Sequence, residues 1–104
     1  MDNLEQGFRL LAVNTAMSYG YGFSPNSQHL VNEMIRQGVT ELRANGLPDP
    51  NDVYEAQRDL VRFVYELVEE AQRSGTPEIQ ESIVARIKKA LCPLPPWLKA
   101  PCPQ

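Results

Sequence analysis

"DPNDVYEAQRDLVRFVYELVEEAQR", residues 49–73, decides the fold. Asp49 is placed to cap a helix, Pro50 fits its first turn because its missing N–H costs nothing there, and Asp52 adds negative charge where the helix dipole favours it. Val53, Leu60, Val64, Leu67, Val68 and Ala71 recur at helical spacing. Tyr54, Val61 and Tyr65 form a second stripe, and Phe63 points a third way. Within "LVRFVYELV", 60–68, only Arg62 and Glu66 are charged. A helix apolar on most sides is buried on most sides. The spacing therefore predicts a helix from Pro50 to about Arg73, roughly 36 Å long at ~1.5 Å per residue. It is either the centre of the domain or a dimerisation helix.

The flanking segments read as helices too. "NGLPDPND", 45–52, is a stop followed by a start: Asn45-Gly46 closes one helix, Pro48 forbids its continuation and Asp49 opens the next. Leu47, between them, is expected to tuck back as an apolar anchor. Upstream, a helix from about Pro25 or Ser27 to Ala44 carries Val31, Met34, Ile35, Val39 and Leu42, with Leu30 beside them. Either Ser24 or Ser27 caps it. Gly38 sits on the same face, where a glycine allows another helix to approach or is simply tolerated.

The first helix spans Asn3 to Tyr19, with Asp2 or Asn3 as its cap. Leu4, Phe8, Leu11, Ala12 and Thr15 make one stripe and Leu10, Val13 and Met17 another, an arc wide enough for two neighbours. "YGYG", 19–22, stops it. Downstream, Thr76 and Pro77 predict the start of a fourth helix with Ile79, Ile83, Ile87 and Leu91 in line, Val84 alongside and Pro93 as its stop. Glu78 and Glu81 come early in it and Arg86, Lys88 and Lys89 late, as the helix dipole prefers. No run alternates with period two, and no repeat is evident.

The expected fold is all-α: four helices in antiparallel succession over residues 1–92, with an extended proline-rich tail over 93–104. At 104 residues this is one domain with one core. In "LCPLPPWLKAPCPQ", 91–104, five of the fourteen residues are proline, and both cysteines and the only Trp lie there. Three readings compete. "PLPP" has the spacing that polyproline-II grooves recognise, with Lys99 as a basic flank. The tail is otherwise a loose end, or a strap docked through Leu94, Trp97 and Leu98. The strap is favoured because those side chains are costly to leave in water.

Composition excludes several functions. The net charge of −3 argues against a broad nucleic-acid surface. Asp2 and Glu5 argue against a secretory n-region, and no stretch approaches the ~20 apolar residues of a membrane span. The chain therefore reads as cytoplasmic, where Cys92 and Cys102 stay reduced; a disulfide across the proline loop is the alternative.

No catalytic motif is present. His29 is the only histidine, and "HLVNEMIRQG" has neither the Lys nor the Gly in the place, close after the histidine, where a phosphotransfer domain carries them. Glu66, Glu69 and Glu70 lack the histidine of a di-metal carboxylate bundle and instead pair along the helix, Arg62 with Glu66 and Glu69 with Arg73. Two cysteines alone make no zinc site. No catalytic, cofactor or metal residues are assigned.

What remains is an interaction protein: an adaptor, regulator or inhibitory partner. It is expected as a homodimer, because the first and third helices carry more apolar face than a small bundle needs. The candidate contact residues are Tyr19, Tyr21, Phe23, Tyr54 and Tyr65, with Leu94, Trp97 and Leu98 of the tail. "YGYGF", 19–23, reads equally as a packed interhelical loop. The alternatives are a nucleic-acid-associated regulator acting through the second helix (Asn32, Arg36, Gln37, Arg43) or the fourth (Gln80, Arg86, Lys89), and a non-catalytic subunit of an enzyme complex.

Overall fold

A computed structural model describes residues 3–44 and 46–90. The fold is all-α, with helices α1 (Asn3–Ser18), α2 (Pro25–Leu42), α3 (Pro50–Ser74) and α4 (Glu81–Ala90). Asp2, Asn45 and the tail from Leu91 onward, including Leu94, Trp97, Leu98 and both cysteines, lie outside the described residues.

The local chemistry sets most of these boundaries. Asp49 caps α3, its Oδ1 accepting from the Asn51 N–H at 2.8 Å. Ser24, not Ser27, caps α2: its Oγ accepts the Ser27 N–H at 3.2 Å. Helices α1 and α3 end alike. Gly20 (φ 79°) and Gly75 (φ 73°) adopt the left-handed conformation that a side chain disfavours. The residue after each glycine then bonds back five positions, Tyr21 N–H to the Ala16 carbonyl at 3.1 Å and Thr76 N–H to the Ala71 carbonyl at 3.0 Å. This Schellman closure satisfies carbonyls that the helix leaves unpaired.

Thr76 therefore finishes α3; its hydroxyl also donates to the Ala71 carbonyl, at 3.2 Å. It does not open α4, which begins at Glu81. Between them Ile79 makes a parallel bridge with Phe23. Its N–H donates to the Gly22 carbonyl at 3.1 Å, and its carbonyl accepts from the Ser24 N–H at 3.3 Å. These bonds come from a segment more than fifty positions upstream, so local periodicity gave no sign of them and Ile79 was read as helical.

Helix α3 packs against α1, α4 and α2, and α2 also touches α1 and α4; α1 and α4 do not meet. The core follows from that arrangement. Leu60, Phe63, Val64, Leu67 and Val68 of α3 lie at its centre. Phe8, Ala12 and Ala16 of α1, Val31, Met34, Ile35 and Val39 of α2, and Ile83, Val84 and Ile87 of α4 close on them, with Ile79 wholly buried. Gly38 is buried on the same face of α2.

Leu47 corrects the sequence reading. It is 99% exposed rather than tucked back. Gly46, at φ 108°, turns the chain in the connection between α2 and α3, and the core is filled mainly by helical side chains.

Candidate functional site

The second stripes of α1 and α3 stay outside the core. Leu10 is 55% exposed, Met17 64%, Tyr54 62% and Tyr65 44%. The physical reason lies in the packing: among the described helices α1 packs only against α2 and α3, and the part of its apolar arc turned away from both stays exposed. The same edge leaves one side of α3 open. Between the two helices runs a groove of about 960 Å³, lined by Gly7, Leu10, Leu11 and Asn14 of α1, by Tyr19, and by α3 from Tyr54 to Tyr65.

Tyr19 closes one end. Its ring meets that of Tyr65 edge-on, with centroids 5.7 Å apart and planes at 67°. This is the geometry that aromatic quadrupoles favour. The Schellman turn at Gly20 holds Tyr19 at the mouth of the groove.

The charged members of the groove are Arg58, Asp59 and Arg62. Asp59 is half-buried. Burial raises its pKa above the ordinary value for an aspartate, since a partly desolvated carboxylate resists ionisation; the positive charges of Arg58 and Arg62 oppose that shift, and Glu55 adds to it. Arg58 and Arg62 form no ion pair with any described residue. The expected Arg62–Glu66 pair is not made. Elsewhere cations are engaged: Arg9 with Glu5 at 2.8 Å, Arg36 with Glu33 at 2.6 Å, Arg73 with Glu70 at 2.9 Å and with Glu69 at 3.4 Å, and Arg86 with Glu70 at 2.8 Å.

The structure thus brings Tyr19, Tyr54 and Tyr65 to one face. It sends Tyr21 and Phe23 elsewhere: both are partly buried against the core, Phe23 through the bridge to Ile79. Leu10 and Val61 join the groove and were visible in the sequence as members of the second stripes. Arg58, Asp59 and Gln57 carried no signal, because isolated polar residues on a helix look like any solvated face. His29 is exposed on α2. Among the described residues no three His, Cys, Asp or Glu side chains gather to hold a metal ion, and no helix is long and apolar enough to cross a membrane.

The fold and the site together define a small all-α domain with an apolar, tyrosine-edged groove between two of its helices. No protein-family model, no curated protein and no solved structure matches this chain.

Proposed function

We propose that this chain is a small non-enzymatic protein-interaction module, an adaptor, regulator or inhibitory partner, that works in the cytoplasm and docks other polypeptides through the α1–α3 groove. The reading includes four helices in antiparallel succession and a partner that is either a second copy, giving a homodimer, or another chain, such as the catalytic subunit of a complex.

One observation carries it. Seven large hydrophobic side chains among the described residues are exposed: Leu10, Met17, Tyr19, Leu47, Tyr54, Val61 and Tyr65. All but Met17 and Leu47 line this one groove. Scattered apolar residues on a surface need no explanation, whereas a contiguous patch marks an interface. Tyrosine suits such a place because it offers large rigid area with a polar tip. The nucleic-acid reading has no comparable support, since Arg36 and Arg86 are already held by carboxylates.

The test is affinity capture from the native cell with the wild type and with Val61→Asp, alongside sedimentation across a concentration series. A partner or a dimer that the wild type holds and the variant loses supports the reading. Identical partners and identical mass for both proteins would remove the groove from consideration.

A further inference from the structure

The groove has the wrong charge for this molecule. The chain as a whole is acidic, at −3, yet the charged part of the groove is one half-buried carboxyl and two guanidinium groups that form no ion pair among the described residues. Arg9, Arg36, Arg73 and Arg86, by contrast, are each paired with a glutamate. Arg58 and Arg62 are one turn apart on α3 and stand beside Tyr54, Val61 and Tyr65.

We propose that the α1–α3 groove receives an acidic amphipathic helix from a partner protein, its apolar stripe laid over Leu10, Val61 and Tyr65 and its flanking carboxylates met by Arg58 and Arg62. This rests on the interaction reading above and narrows it to one class of partner.

Length agrees with a helix. From Tyr54 to Tyr65 the α3 wall runs roughly 17 Å at ~1.5 Å per residue, which spans about three turns of a visiting helix. Such a helix presents apolar anchors at i, i+4 and i+7, the usual way an amphipathic helix enters a groove. Arginine is the residue suited to the rest of the task, since its planar fork binds a carboxylate through two parallel hydrogen bonds.

The other two occupants fit less well on charge. In a two-fold contact over this groove each copy brings its own Arg58 and Arg62. Four guanidinium groups then meet with only the two Asp59 carboxyls among the lining residues, and like charges set together oppose binding. The chain's own segment 91–104 holds Lys99 as its only charged side chain and has no Asp or Glu. It offers Arg58 and Arg62 no side-chain carboxylate.

The experiment uses the full chain and three synthetic helix-forming peptides of about four turns. All carry leucine at i, i+4, i+7 and i+11; their flanking positions are Glu in the first, Gln in the second and Lys in the third. Binding is read by fluorescence anisotropy at low and high salt. The Glu peptide is expected to bind at least roughly tenfold tighter than the Lys peptide, with the advantage shrinking as salt rises. The double variant R58E/R62E reverses that order. Val61→Asp weakens all three, and circular dichroism melting confirms that each variant is folded.

Equal binding of the Glu and Lys peptides overturns the acidic partner but leaves the groove as a docking site. Binding of the Glu peptide to Trp97→Ala and not to the wild type assigns the groove to the chain's own tail. A concentration-dependent dimer that Val61→Asp disperses, with no peptide bound, assigns it to a second copy. No peptide bound, with Val61→Asp indistinguishable from the wild type in sedimentation, defeats the interaction reading as well as this one.

Discussion

The hydroxyl of Ser27 donates to the carbonyl of Ile79 at 3.0 Å, joining residues 52 positions apart inside the protein. Ser27 is wholly buried, and so is Ile79. The Ser24 hydroxyl donates to Ser27 Oγ in turn, at 2.9 Å. This short chain of bonds ties the first turn of α2 to the link before α4. It also accounts for Ile79 standing outside α4: its carbonyl accepts from the Ser24 N–H and the Ser27 hydroxyl rather than from a helical N–H.

Ser27→Ala is therefore expected to destabilise the fold by about 1–2 kcal/mol. The substitution removes a buried donor and leaves the Ser24 hydroxyl without its acceptor. Urea unfolding followed by circular dichroism measures the loss. A change within error would mean that water replaces the hydroxyl.

Leu60 and Val61 are consecutive and should behave as opposites. Leu60 is wholly buried between helices, so Leu60→Ala costs about 2–5 kcal/mol through lost burial and the cavity left behind. Val61 faces the groove, and Val61→Asp is expected to change stability far less while altering association. Thermal melts of the two variants, set beside their sedimentation, separate core from docking surface.

Glycine substitutions should differ in sign. Gly75 holds the left-handed turn that closes α3, and Gly75→Ala forces a β-carbon into that conformation, costing about 1 kcal/mol or more. Gly7 is helical and exposed, with open space where a β-carbon would stand. Gly7→Ala is expected to stabilise by about 0.5–1 kcal/mol, because alanine loses less backbone freedom in a helix. Chemical denaturation midpoints of the pair check both signs.

Asp59 sets a pH dependence. Burial raises its pKa in the folded protein above the unfolded value, so folding favours the protonated carboxyl. The stabilisation that results is complete below the unfolded pKa and is lost as pH rises through the folded one. Asp59→Asn, which is neutral throughout, should melt at least as high as the wild type near neutral pH. That advantage should vanish below about pH 3, where aspartates are protonated in both states. Melting temperatures of both proteins across this range decide the point; a wild type that gains on the variant as pH rises would contradict the sign.

How much could be read along the chain depends on how local each cause is. Four helices follow from stripes of apolar residues and from caps that act within a turn: Asp49 over Pro50, Ser24 over Pro25, Gly20 and Gly75 at helix ends. Such bonds join residues no more than five positions apart, and the sequence carries both partners side by side. Where the choice was among neighbours it was harder. Ser24 and Ser27 were equally plausible caps until the buried bond to Ile79 gave Ser27 another task. Thr76 before Pro77 looked like a helix start, although its bonds run backward to Ala71.

By itself the sequence determined that the chain is helical and that α1 and α3 each carry two apolar stripes. Only the tertiary structure decided which stripe is buried. Periodicity tells which side chains share a face, whereas burial depends on which helices meet. Because α1 touches α2 and α3 but not α4, its second stripe and that of α3 open together onto one groove, and Leu47, apolar but placed in a turn beyond the packed helices, remains in water.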